Sequence, residues 1–356
     1  MPKVIGEYVD RLVNIEMLEE DYPRRDRTRL LYEAAREKQG APLTYLAAQG
    51  LLDNVGRGDY VILMSGTGPS PWLETGGNDG PTGVASLARA ISFGLGGSPV
   101  YVGLEKPLRP VIAAGVAAGI SVMDREAIEV YRRRNTALAI PFPMGESEGK
   151  EKAASILDEL KPKAVIAVEN HGPNPVGMRH NAAGMGIDSD ALPHDYYIVE
   201  EARRRGILTV GIGDGGDEIG YGLINEEANE IYEQAFGVSC QCGCNGGQAC
   251  ATETDVLISA AVSAWGAYGV SACMAYMLRN PYVLQDPDTE RRMGEAMSQA
   301  GAVAAFFAAT VPWIDGTSPA VQHAIVTMLH EIVGNALRGH QQSKWASPGE
   351  LIKGRG

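Results

Sequence analysis

Acidic residues recur where short apolar runs give way to loops. Glu169 directly follows the run 164–168, Asp214, Asp217 and Glu218 follow the run 207–212, and the loop after the run 60–64 carries Glu74 and Asp79. Four or more carboxylates drawn together are unfavourable without a cation, because like charges at close range raise one another's pKa or demand a metal. All-oxygen ligation suits Mg²⁺, Mn²⁺ or Ca²⁺ rather than zinc or copper. The alternative is a set of solvated loop residues that never meet. Recurrence at three strand ends favours one shared site holding a hard divalent ion, with Mn²⁺ or Mg²⁺ foremost.

Other residues carry weaker signals. Gly211, Gly213 and Gly216 satisfy a GxGxxG pattern after an apolar run. A pyrophosphate at that turn would be repelled by Asp214, Asp217 and Glu218, so the glycines are read as permitting tight turns, and a nicotinamide cofactor is disfavoured. Cys240, Cys242, Cys244 and Cys250 lie in a C-x-C-x-C-x5-C arrangement, with Cys273 apart. This differs from the CxxC knuckle of structural zinc sites, so reduced thiols in a tight turn are favoured over zinc or iron–sulfur and disulfides are disfavoured, with the cluster's role left undecided. His171 and His180 flank the Glu169 loop and are candidates for an acid or base, whereas His323, His330 and His340 fall in helical stretches. No Ser-His-Asp order with a nucleophile elbow is present.

The elements that must position these residues alternate. Apolar runs at 60–64, 99–102, 137–140, 164–168 and 207–212 read as buried strands, separated by helical stretches such as 83–95 and 150–160. With right-handed crossovers this predicts an α/β fold of three layers, a mainly parallel sheet with helices on both faces. Helical periodicity in residues 1–55 (Ile5, Val9, Leu12, Ile15, then Leu30, Leu31, Ala34) precedes the sheet region 56–253. Residues 254–340 read as helices only, packed on the same core, so a single α/β domain is expected over 1–356. Ligands in such sheets bind beyond the carboxyl ends of the strands, where the acidic residues lie.

Bulk properties narrow the partners. The 356 residues are 45% hydrophobic and 21% charged, which suits a large globular core. A net charge of −13 argues against nucleic acid and anionic membranes. The charged start MPKVIGEYVDRL lacks the apolar centre of a signal peptide, so a cytoplasmic location is expected. Uncharged stretches at 256–278 and 296–314 reach membrane length, but their Ala, Gly and Ser content and lack of basic flanks favour buried core helices. The expected partner is a small molecule, with a homo-oligomer left open.

With these residues in hand, the chain resembles the D-glutamate cyclase family over about residues 25–335. The most specific segment is 211–222, GIGDGGDEIGYG, similar to the family's GxGDGGNExGMG. Glu74-Thr75 with Asp79-Gly80-Pro81 and Gly83 resembles ETDGPPG, Glu169 with Gly172 resembles ERxG, and Asn181-Ala182 also matches. Thr254-Asp255 leads into Val-Ser-Ala-Trp-Gly-Ala-Tyr at 262–268, similar to GVSNWGxYAL.

The resemblance implies conversion of D-glutamate to 5-oxo-D-proline and water. It implies metal ligation by Glu169 and Asp214, with Asp217 or Glu218 completing the shell or acting as base. Glu74 and Asp79 would orient the amine, and Thr67, His171, Asn181 and Asp255 would contact substrate. The departures are chemical. Asn170 and Ala183 replace family arginines, Asp217 and Ala264 replace asparagines, and Gly76-Gly77-Asn78 is inserted. Two positive charges fewer and one negative more leave the site less suited to a dicarboxylate. The expected substrate is therefore less anionic than glutamate: a neutral or cationic amide, lactam or cyclic urea. Hydrolysis of a cyclic amide in the same pocket is the alternative reaction, and a metal-bound small-molecule binding protein the alternative outside enzymes.

Overall fold

A computed structural model describes residues 1–17, 26–66, 68, 73–131, 134–181 and 183–339. Three helices, α1 (Pro2–Val13), α2 (Arg27–Gln39) and α3 (Leu43–Asn54), precede the first strand, β1 (Tyr60–Ser65). Then follow α4 (Pro81–Arg89), β2 (Ser98–Gly103), α5 (Glu105–Ala117), β3 (Ser121–Val122), α6 (Arg125–Tyr131), β4 (Thr136–Pro141), α7 (Glu146–Leu160) and β5 (Ala164–Val168). A two-residue hairpin pair, β6 (Arg179–His180) and β7 (Gly186–Ile187), precedes α8 (Tyr196–Arg204), β8 (Leu208–Gly213) and α9 (Asn225–Phe236). The chain continues through β9 (Val256–Ser259), α10 (Ser263–Met277), α11 (Pro287–Gln299) and α12 (Pro319–Gly339).

Seven strands form one parallel sheet in the order β3-β4-β2-β1-β5-β8-β9. Both faces are covered, as the near-continuous apolar strands require. Alternate strand residues Ile62, Met64, Val100, Val102, Val165 and Ala167 pack against Ile128 of α6, Ile156 and Leu157 of α7, and Ile198 and Val199 of α8. Their neighbours Val61, Leu63, Tyr101, Ile166, Val210 and Ile212 face the other way, into a larger core built with α1–α5 and α9–α12. This is the α/β architecture that the alternating runs predict.

The topology fixes where a ligand belongs. From β1 the chain moves to β2 on one side and on to the edge strand β3, steps back to lay β4 between these two, and then crosses to lay β5 on the other side of β1. The sheet therefore has its switch point between β1 and β5, and the carboxyl ends of these two strands are where a sheet of this kind takes its ligand.

Two expectations are corrected. Residues 254–340 are not all helical, because Val256–Ser259 adds the seventh strand, pairing Val210 to Val256 and Gly213 to Ser259. A four-residue apolar run abutting an apolar helix shows no period of its own, so the sequence merges the two. The stretch 296–314 is not one helix either: α11 stops at Gln299, and the chain turns at Gly301 with φ of 105°. Among the described residues no helix is long and apolar enough to cross a membrane.

Candidate active site

Three adjacent strands, β1, β5 and β8, deliver the acidic residues. Asp79 arrives on the loop after β1, Glu169 is the first residue beyond β5, and Asp214 the first beyond β8. One carboxylate oxygen from each can be chosen so that all three lie within 4.8 Å of one another. Backbone packing makes this approach possible. A Cβ on Gly66 would fall 1.6 Å from the Glu169 carbonyl oxygen, and Gly80, at φ 108°, would place one 2.5 Å from Ser65 Oγ. Glu169 itself has φ 54°, a left-handed conformation that costs a residue with a Cβ about 1–3 kcal/mol and is found where function demands it.

Helix α10 points its amino end at the cluster. The backbone N–H of Ala264 donates to Asp79 Oδ1 at 2.8 Å, and that of Ser263 donates to Asp79 Oδ2 at 3.0 Å and Asp214 Oδ2 at 3.3 Å. Ser263 Oγ donates to Glu169 Oε2 at 2.6 Å. These are N–H groups that a helix leaves without internal partners, carrying the positive end of its dipole. They do not suffice. Burial, then the charges of Asp214 and Asp315, holds Asp79 well above the usual carboxylate range. Burial, then Glu218 and Asp79, does the same to Glu169. The carboxylates in such a cluster repel one another, and its all-oxygen donors match a hard divalent cation.

Around the three carboxylates the remaining candidates divide. Asp217 is buried and lies 3.3 Å, Oδ2 to Nε2, from His171, which stands two residues beyond Glu169. Glu218 is also buried, but it accepts the backbone N–H groups of Asp214, Gly215 and Gly216 at 3.0, 2.8 and 2.7 Å, so it shapes the glycine-rich turn. Asn181 likewise accepts from Ala183 and Met185 at 3.0 and 3.1 Å, closing the β6–β7 turn. Glu74 is exposed and paired with Lys106. Asp255 accepts from Thr209 N and Oγ1 at 2.8 and 2.9 Å, near the start of β8 and just before β9. That is the amino end of the sheet, opposite the carboxylates. Thr67, Ala182 and His340 lie outside the described residues.

Two residues near the cluster, Ser263 and Asp315, are not among the sequence candidates. Ser263 is a hydroxyl at a helix start, a signal visible once β9 and α10 are separated. Asp315 reaches the cluster from the turn before α12, and an Asp-Gly pair there was the available hint. Asn170 donates to Asp195 Oδ2 at 3.1 Å, and burial pushes Asp195 up to about 6. Arg179, buried beside Asp195, donates to the carbonyls of Leu192 and Pro193. Ser65 Oγ, Asn78 Nδ2 and His171 Nδ1 are buried without a protein hydrogen bond, as befits groups that meet water or a ligand.

The family described as D-glutamate cyclase-like, C-terminal, matches residues 16–330. The mitochondrial D-glutamate cyclase of Homo sapiens is 31% identical over 114 residues, which amount to 32% of this chain and 17% of the human protein. Because the match to the family runs from just after α1 into α12 and takes in every acidic loop, the chain belongs to the D-glutamate cyclase-like family.

Proposed function

We propose that the protein interconverts a small amino acid and its cyclic lactam, closing the ring with loss of water. The observation that carries this reading is the convergence of Asp79, Glu169 and Asp214 at the switch point of the sheet. These three would hold a divalent cation, Mn²⁺ or Mg²⁺ by donor type. When bound, the ion offsets negative charge on the substrate carboxylate and so makes its carbon electrophilic.

In the closure, the amine nitrogen bonds to the carboxylate carbon as one C–O bond breaks. Two protons leave the ammonium and depart with that oxygen as water. His171 and Asp217 are the residues suited to move them. Asp217 fixes the imidazole through Nε2, and Nδ1 remains without a protein partner. Ser263 and the start of α10 orient the carboxylates of Asp79 and Glu169. Glu218, by capping its own turn, keeps Asp214 and Asp217 in position.

The substrate on this reading is less anionic than glutamate. Asn170 brings an amide where the resemblance expects an arginine, and that amide turns inward to Asp195. The neighbouring Arg179 spends donors on backbone carbonyls. The test is turnover, followed by proton NMR with Mn²⁺ or Mg²⁺ present, of D-glutamate against its α-amide, which keeps the reacting amine and γ-carboxylate but loses one charge. Faster cyclisation of the amide is expected. Equal or faster turnover of D-glutamate would remove the specificity claim, and no turnover of either by metal-loaded protein would remove the cyclase reading.

A further inference from the structure

A second cluster of metal-ligating side chains lies outside the acidic site. His180, on β6, meets Cys240, Cys242 and Cys244 from the loop after α9, and one donor atom from each lies within 4.8 Å of the others. His180 Nε2 is 3.1 Å from Cys242 Sγ and 3.8 Å from Cys244 Sγ. Cys240 Sγ is 3.6 Å from Cys242 Sγ and 3.7 Å from Cys244 Sγ. A tetrahedral zinc ion, with bonds of about 2.3 Å to sulfur and 2.0–2.1 Å to nitrogen, sets S···S near 3.8 Å and S···N near 3.6 Å. Three of the four separations lie within about 0.2 Å of those values, and the fourth, His180 Nε2 to Cys242 Sγ, is about 0.5 Å shorter, a difference that a small turn of the side chains removes. The spacing does not fit disulfides, whose sulfurs are about 2.05 Å apart.

The surroundings match the same reading. Gly243 and Asn245 both have positive φ, 73° and 60°, and these two reversals bring Cys242 and Cys244 round to one side of a tight turn. Cys244 Sγ accepts from Asn174 Nδ2 at 3.3 Å and from Gly246 N at 3.4 Å, contacts that stabilise a thiolate ligand. His180 is buried, and its Nδ1 has no protein partner, so the polar contacts of the ring are those to the thiols. Cys250 does not take part. It is buried behind Gly172, receives Thr252 N at 3.3 Å, and burial pushes its thiol up to about 12.

We infer that His180, Cys240, Cys242 and Cys244 form a structural Cys₃His zinc site that clasps the loop after β5 to the loop after α9. Binding releases three thiol protons to solvent and leaves four protein donors around the ion, with no position for a reacting molecule. Its effect is on order. Gln241 N donates to Gly184 O at 2.8 Å, and Gln248 Nε2 to Asn181 O at 3.0 Å, so the two loops are already registered where the clasp closes. The first of them begins with Glu169 and His171. Soft sulfur donors here and hard oxygen donors at Asp79, Glu169 and Asp214 sort two different metals within one chain.

The inference is independent of the proposed reaction, and it is tested by metal content rather than turnover. The full chain, expressed with added zinc and purified in reducing buffer, is expected to hold about one zinc per chain by inductively coupled plasma mass spectrometry. Replacement by Co²⁺ should give sulfur-to-cobalt charge-transfer bands and the intense visible bands of a tetrahedral ion. Cys242→Ser and Cys244→Ser should lose the zinc, while Asp214→Asn keeps it. Because the serine variants can fail to fold, the wild-type chain decides: zinc below about 0.1 equivalent, with all three thiols reacting freely with Ellman's reagent, overturns the inference. So does a brown protein containing iron and sulfide.

Discussion

At the scale of single residues, the carboxylates differ in what holds them, and this orders their expected importance. Glu169 and Asp214 converge with Asp79 at one place, whereas Glu74 is exposed beside Lys106. Glu169→Gln or Asp214→Asn should abolish Mn²⁺ binding by calorimetry and lower kcat/KM beyond the roughly 10–100-fold that loss of an outer-shell partner costs. Glu74→Ala should change either quantity about fivefold at most, since an exposed ion pair is worth about 0–1 kcal/mol. Retained metal in both cluster variants would remove the site assignment. The strand-end rule was enough to find Asp79, Glu169 and Asp214 in the sequence. It could not tell Asp79 from Glu74, because one loop carries both and the turns at Gly76 and Gly80, φ 90° and 108°, decide which side chain faces inward. Asp255, expected to contact substrate, stands apart from the cluster because it precedes β9, and a residue before a parallel strand lies at the end of the sheet away from the carboxylates.

At the scale of elements, β9 is what the sequence hides. Its four residues blend into α10, a helix buried from Ser263 to Tyr276 and so lacking the polar stripe that would mark its start. Once the strand is separated, the amino end of α10 comes to lie over the carboxylates, and Ser263 gains its role. The same helix creates a pH sensitivity elsewhere. Tyr268 Oη donates to Glu290 Oε1 at 3.4 Å in the first turn of α11, and burial pushes Glu290 up to about 7, with that hydrogen bond opposing. The folded chain therefore keeps a proton that the unfolded chain releases near 4.5. The corresponding stability is complete below that value and is lost as pH rises through about 7. Glu290→Gln should thus remove a fall of about 2–3 kcal/mol between pH 5 and 8 in urea titrations of variant against wild type. Parallel stability curves for the two proteins would show that Glu290 ionises freely in the fold.

At the scale of the molecule, the sheet is surrounded by helices from both ends of the chain, and α1 belongs to the core over the site. A Cβ on Gly269 of α10 would lie 3.0 Å from Val9 and 3.3 Å from Val13, so the two helices meet backbone to side chain. Ala261 N donates to Val13 O at 2.9 Å, which ties α1 to the turn that launches α10. Asp10 accepts from Leu43 N at 2.7 Å and Thr44 N at 3.1 Å, capping α3 from α1. Helical periodicity in the first residues was plain from the sequence, but what the helices cover depends on non-local packing that no local pattern encodes. Ile5, Val9, Leu12 and Val13 are buried, and at about 1.5–3 kcal/mol each they contribute about 6–12 kcal/mol, comparable with the ~5–15 kcal/mol of a whole folded domain. Deleting residues 1–17 should therefore abolish the cooperative thermal transition seen by circular dichroism, instead of trimming a detachable segment. The intact chain should melt in one calorimetric step, with the calorimetric enthalpy equal to the van't Hoff value. A truncated chain that stays soluble and melts cooperatively within about 5 °C of the intact one would show that α1 is an appendage, because a loss of that size must move the midpoint further.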